Sequence, residues 1–196
     1  MPENNCPTLS NVLASEECDE NLAGLGSVVY VFLKEDLAAP LVATENQYST
    51  PQFKAGKGLY RFDCKDDSQQ IEGTSLGRRK GFRQTGTIVL EAVNKLMSKT
   101  ARALNNLDIG IIFPDGEDAQ ILYDPNRKVV FDNDGIQSTT GASADDDRQV
   151  TLTATLGPTK YLNMYVTPPG TGGWEGLRVD NSGNDNHEND DKDGES

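Results

Sequence analysis

The 196-residue sequence has a single histidine, His187, and it stands in an acidic C-terminal stretch. A Ser–His–Asp triad, a histidine general base in a folded pocket and a histidine-rich metal site are thereby excluded. Cysteine is also scarce: Cys6, Cys18 and Cys64 are the only three. An odd count without a signal peptide does not make a disulfide framework. Cys6 and Cys18 lie in a polar leader with no CxxC spacing and no histidine beside them, so the reading there is free thiols, not zinc. Cys64 reads as a free thiol on a strand. No apolar run approaches the ~18 residues that a membrane-spanning helix needs. The first 21 residues, MPENNCPTLSNVLASEECDEN, have no basic n-region and no apolar core. They do not read as a signal peptide, and the expectation is a protein made and used in a cytoplasm or built into something assembled there.

What is present is carboxylate, glycine and short β-like runs. Formal net charge is −13, with 19 Gly and 9 Pro among 35% hydrophobic residues. The charge comes in blocks. Residues 1–53 carry eight acids and one base; residues 54–102 carry eleven bases and five acids. Residues 103–179 carry eleven acids and five bases, and residues 180–196 seven acids and one base. Such acidity disfavours tight, extended contact with nucleic-acid phosphates, and no sequence-specific nucleic-acid or membrane partner is expected. A basic middle between acidic flanks reads either as solvated surface or as complementary faces that meet between copies.

The pattern predicts a flexible N-terminal arm over 1–20, with a short apolar patch at Val12, Leu13 and Ala14. A β-rich structural domain follows over 21–168, and an acidic disordered tail over 169–196, with Trp174 free to dock locally. The run 27–33 is apolar and β-branched, hence a buried strand. Strands are also expected at 59–64, 69–75 and 82–93, with Gly86 weakening the last or marking a bulge. Asn94 reads as the N-cap of one helix ending at Asn105-Asn106, with Leu96, Met97, Thr100, Ala103 and Leu104 on one apolar face. A tight hairpin follows, Ile109–Phe113 against Ala119–Tyr123, turning at Pro114-Asp115-Gly116. Further strands fall at 128–131, 149–156 and 161–166, and 132–147 reads as a long flexible loop. The fold class is mainly β: a β-sandwich or partly closed barrel with one flanking α-helix.

Chemical motifs are sparse. Asp132-Asn133-Asp134-Gly135 looks like half a calcium loop, but Gly141 stands where the closing Glu is needed, so it reads as a turn. Residues 73–81 lack the GxxxxGK[ST] spacing of a phosphate loop and read as a mobile basic loop. No carboxylate pair stands out from the turns that hold it. No catalytic residue, metal ligand or cofactor site is assigned.

With these elements in order, the chain resembles the tail-tube or major-tail structural proteins of tailed bacteriophages, in particular of phages of Bacteroidetes. The resemblance runs from about Cys18 to Val166. It rests on the leader running into Leu22-Ala23-Gly24-Leu25-Gly26-Ser27-Val28-Val29-Tyr30-Val31, then paired strands and the long strand from Phe82. Next come the helix with Leu104-Asn105-Asn106, the Ile-Ile-Phe-Pro-Asp-Gly…Ile-Leu-Tyr hairpin and Thr139-Thr140-Gly141-Ala142-Ser143 before the strand at 150–156. It is a match of order and texture, with no invariant motif.

The resemblance implies a non-enzymatic virion protein assembled in the host cytoplasm, whose copies join strand edge to strand edge into rings, hexamer-like or larger. Other tail or head–tail proteins would be its partners. The expected contacts between copies are Arg78, Arg79, Lys80 and Arg83 of one against Asp145, Asp146 and Asp147 of the next. The acidic tail and the Arg78–Lys80 cluster are not marks of that family, which leaves tube subunit and collar, adaptor or decoration protein both open. A second reading is a monomeric carbohydrate- or receptor-binding β-sandwich with exposed aromatics near Trp174. A third is a carboxylate hydrolase with two facing acids.

Overall fold

The structure, a computed structural model, describes residues 25–77, 81–91, 93–115, 118–141 and 148–179. The expected arm at 1–20, the tail from 180 onward, the tip Gly116 of the hairpin and six of the seven expected contact residues lie outside them.

Among the described residues, eleven strands form two sheets joined by one α-helix. The first sheet has seven strands in the order β2-β3-β11-β8-β7-β1-β4. These are β1 (Val28–Leu33), β2 (Ala43–Thr44), β3 (Gln47–Tyr48), β4 (Tyr60–Asp63), β7 (Ile109–Asp115), β8 (Asp118–Leu122) and β11 (Tyr165–Val166). The second has four, in the order β5-β6-β10-β9: β5 (Gln70–Ser75), β6 (Phe82–Leu90), β10 (Gln149–Thr159) and β9 (Val130–Thr139). Helix α1 (Lys95–Asn106) carries the chain from β6 in one sheet to β7 in the other. The result is mainly β and is two open sheets rather than a closed barrel.

Burial explains the sequence texture. Val29 and Val31 of β1, Ile109, Ile111 and Phe113 of β7 and Leu122 of β8 join a core shared with the second sheet and α1. The alternate residues Tyr30, Phe32, Ile112, Ala119, Ile121 and Tyr123 join another core on the opposite face, closed by the irregular segments around Leu41, Tyr48 and Met164. A sheet covered on both faces has no wet side, so its central strands read as continuous apolar runs. The second sheet has one dry face. Ile88 and Leu90 of β6 and Val150, Leu152, Ala154 and Leu156 of β10 point inward. Thr85, Thr87, Thr151, Thr153 and Thr155 alternate with them and are half-buried.

Gly86 makes no bulge; it pairs in register with Ile71 and Ala154. Its role is close approach. A Cβ there would lie 2.6 Å from Leu122 Cδ1 and 2.7 Å from Phe113 Cζ, so the missing side chain lets the sheets meet.

Asn94 caps α1 as its chemistry predicts, with Oδ1 accepting from the Met97 amide at 2.8 Å. The five-residue apolar face is not a single buried face. Met97 and Leu104 are buried, whereas Leu96 is 72% exposed. The inter-sheet core is wide enough to cover only the Met97–Ala101–Leu104 side of the helix.

The expected loop over 132–147 is strand up to Thr139. Its polarity is that of an edge strand wet on two sides. The calcium-like Asp132–Gly135 run is a bulge inside β9: from the Ile136–Leu152 pair to the Phe131–Ala154 pair, β9 advances five residues and β10 two. Asp134 sits there at φ 66°, a left-handed conformation that Asp tolerates. The last strand is only β11, two residues long. The chain beyond 168 turns back on the body: Trp174–Leu177 is a 3-10 turn, and Val179 N–H donates to Leu59 O at 3.0 Å.

Candidate assembly surfaces

The second sheet places two charged connections at its opposite ends. β5 and β6 are joined through residues 76–81, and the Leu76 amide donates to Gly81 O at 2.8 Å to close that hairpin. Arg78, Arg79 and Lys80 are in this connection and lie outside the described residues. Arg83 is described; it is exposed on β6 opposite Thr74, at the same end. β9 and β10 are joined through 140–148, and Asp145, Asp146 and Asp147 there also lie outside the described residues. Pairing fixes the ends. Phe82 is beside Ser75 and Thr159, whereas Leu90 is beside Val150, which pairs with Ser138. Eight residues of β6 separate the two ends, about 27 Å at ~3.4 Å per residue. The structure therefore brings Arg83 to the root of the basic connection and puts the acidic connection at the far end of the same sheet.

The two free edges of this sheet differ. β5 is six residues with no proline, no lysine and no bulge, and its only charge is Glu72. β9 is interrupted by the Asp132–Gly135 bulge, and Asp132 is held to the sheet face by the Thr155 hydroxyl at 3.0 Å. Bulges and charges are how an edge is made unfit for pairing, so β5 and the regular half of β9, Ile136–Thr139, are the stretches left open. Between them the wet face carries no charged side chain from Gln84 to Leu90 or from Gln149 to Leu156.

The larger sheet ends at β4. Beside it an open cleft of about 440 Å³ runs between β4, the end of β1 and α1, lined by Val31, Leu33, Phe62, Leu96, Ala103 and Leu107. Arg61 and Arg178 stand on its rim. A polar cluster fixes this rim. Glu175 accepts from the Tyr30 hydroxyl at 2.6 Å, from Arg61 Nη1 at 2.9 Å and from Arg178 Nη1 at 2.7 Å. The Tyr30 hydrogen bond, then that of Arg178, holds the Glu175 carboxyl down at about 2. Burial, then the Glu175 carboxylate, pushes the Tyr30 phenol up to about 12. Sequence reasoning found none of these roles, because residues 30, 61 and 175 share no local pattern.

The aromatics considered for ligand binding are mostly used in packing. Trp174 is half-buried with its ring 6.2 Å from that of Tyr30. Tyr123 is buried between Phe32 and Tyr48, and its hydroxyl accepts from the Leu41 amide. Tyr161 is half-buried with Lys160 Nζ 5.1 Å from its ring centre. Burial pushes the Cys64 thiol up to about 11, so it is a poor nucleophile. Among the described residues no three His, Cys, Asp or Glu side chains come together as a metal site. No helix among them is long and apolar enough to cross a membrane. No protein-family model matches the chain, and no curated protein or solved structure matches it either.

Proposed function

We propose that this chain is a non-enzymatic virion structural protein of a tailed bacteriophage, a tail-tube or head–tail ring subunit that assembles with copies of itself. One observation supports the reading above others: connections of opposite charge leave opposite ends of one sheet, about 27 Å apart at strand rise. At that distance they do not neutralise each other within a subunit, because screening at physiological salt acts over about 8 Å. They are placed to meet between subunits stacked head to tail. The plain β5 edge and the regular half of β9 supply the side-by-side contact. Other tail or head–tail proteins are the remaining partners, the virion is the site of action, and no cofactor takes part.

Light scattering over a concentration series, with negative-stain imaging of the same samples, tests this. Rings and stacked rings are the expected products. Arg78→Glu, Arg79→Glu and Lys80→Glu together are expected to deplete the stacks, and adding Asp145→Lys, Asp146→Lys and Asp147→Lys to restore them. Undiminished stacking by the triple variant at physiological salt overturns the charge pairing. A monomer throughout the series overturns self-assembly.

A further inference from the structure

We infer that the cleft between α1 and β4 is the seat of residues 9–14 of the same chain. The cleft is apolar and unpartnered: Leu96 and Leu107 on its helical wall are 72% and 40% exposed. Burying such side chains is favourable, so an open cleft of this kind calls for a covering segment. Two stretches of this chain lie outside the described residues and are long enough to supply it. Residues 180–196 begin next to the cleft, since Val179 lines it. They contain no aliphatic residue and no Phe, Tyr or Trp, so they cannot fill an apolar groove. Residues 1–24 can. Leu9, Val12 and Leu13 stand at i, i+3 and i+4, the spacing of one face of a helical turn.

Charge points the same way. The first 24 residues carry Glu3, Glu16, Glu17, Asp19 and Glu20 and no base. The rim arginines Arg61 and Arg178 are already ion-paired with Asp63 and Glu175. Lys99 is exposed on α1 next to the lining residues Leu96, Thr100 and Ala103. An apolar turn followed by four acids within five residues fits an apolar floor with this lysine at its edge.

Reach allows the contact within one chain. Leu25 is packed on the inter-sheet core just before β1, and β1 leads to Val31 and Leu33 in the cleft. Six extended residues from Leu25 to Val31 cover about 20 Å. The eleven residues from Ala14 to Leu25 can span up to about 36 Å. The arm thus has length to spare to double back along β1 and β4.

The test uses the full chain. Leu9→Ser with Leu13→Ser alters residues outside the described body, and a far-UV circular dichroism spectrum equal to the parent's checks that the body still folds. Binding of an apolar fluorescent dye is expected to rise at least about threefold, and amides of 98–107 to exchange about tenfold faster as the cover is lost. Dye binding and exchange equal to those of the parent overturn the inference. Independently, Leu13→Cys with Leu96→Cys, in a chain carrying Cys6→Ser and Cys18→Ser, is expected to form a disulfide at monomer mass. Cys64 is left in place because its half-buried thiol packs against the inter-sheet core. A disulfide found only between chains, or none, overturns the intrachain seat.

Discussion

Gly86→Ala adds one methyl group where the two sheets touch. The new Cβ falls 2.6 Å from Leu122 Cδ1 and 2.7 Å from Phe113 Cζ. Carbon atoms prefer about 3.5–4.0 Å, so about 1 Å must be found on both sides. The contacted atoms are side-chain tips, but both residues are 0% exposed and packed on all sides, so neither tip has free space. Either Leu122 and Phe113 leave their rotamers or the sheets part. Overpacking of this kind costs about 1–3 kcal/mol. Against it, losing glycine from the unfolded chain returns about 0.4–1 kcal/mol, since the backbone at position 86 needs no positive φ. The net expectation is a loss of about 1–2 kcal/mol, or ~2–8 °C in Tm for a chain of this size. Urea unfolding with an unchanged slope is the assay. The pair Gly86→Ala and Phe113→Leu is expected to be less destabilised than the sum of its members by at least about 0.5 kcal/mol, because the smaller side chain relieves the overlap. A Tm for Gly86→Ala equal to or above that of the parent would refute the close-approach role.

Asn94→Ala removes the one side-chain cap of α1, whose first turn carries no acid to help it, and is expected to cost about 1 kcal/mol in the same unfolding assay. Glu175 has a folded pKa of about 2, below its ordinary value of 4.5. Its contribution is therefore complete above about pH 5 and lost as pH falls toward 2. Because the carboxylate is half-exposed the effect is small, and Glu175→Gln should lower the plateau at pH 7 slightly and flatten the acid limb, the two proteins converging toward pH 2. Tyr30 and Tyr48 have folded values of about 12 against an ordinary 10. Their contribution is complete below pH 10 and lost between 10 and 12, so alkaline unfolding should coincide with phenolate absorbance, and Tyr48→Phe should weaken that coupling.

What the sequence made legible was whatever is encoded locally. The Asn94 cap, the end of the helix at Asn105-Asn106 and the paired runs at 109–113 and 119–123 are short-range signals, and the structure has each of them. The 28–33 strand was legible because a strand buried on both faces leaves an unbroken apolar run. What was illegible depends on partners far along the chain. β9 looked like loop because an edge strand wet on two sides is rich in Asp, Asn and Ser, and only pairing with β10 makes it a strand. Gly86 looked like a weak point because its reason lies in Leu122 and Phe113. Arg83 could be tied to the basic cluster by adjacency alone; that the basic and acidic connections leave opposite ends of one sheet follows from strand register.

Strand direction adds a constraint on the proposed assembly. Each neighbour in β5-β6-β10-β9 is antiparallel, so β5 and β9 run in opposite directions. Copies added side by side in one orientation would bring Ile136–Thr139 of one against β5 of the next as an antiparallel pair, the arrangement that continues the existing sheet. Every copy would then present its basic connection at one rim and its acidic connection at the other, so that rings attract only when stacked head to tail. A two-fold pairing of β5 with β5 would instead close at a dimer and bury the β5 edge. In that dimer the connections of opposite sign would stand about four strands apart, ~19 Å, beyond effective attraction at physiological salt. Ser75→Pro, which removes an amide that points out of the sheet from an exposed position on β5, separates the contacts further. If edges join copies within a ring, it should abolish rings and stacks together, whereas the Arg78–Lys80 charge reversal should leave single rings. Stacks that survive Ser75→Pro would mean that β5 is not the side-by-side contact.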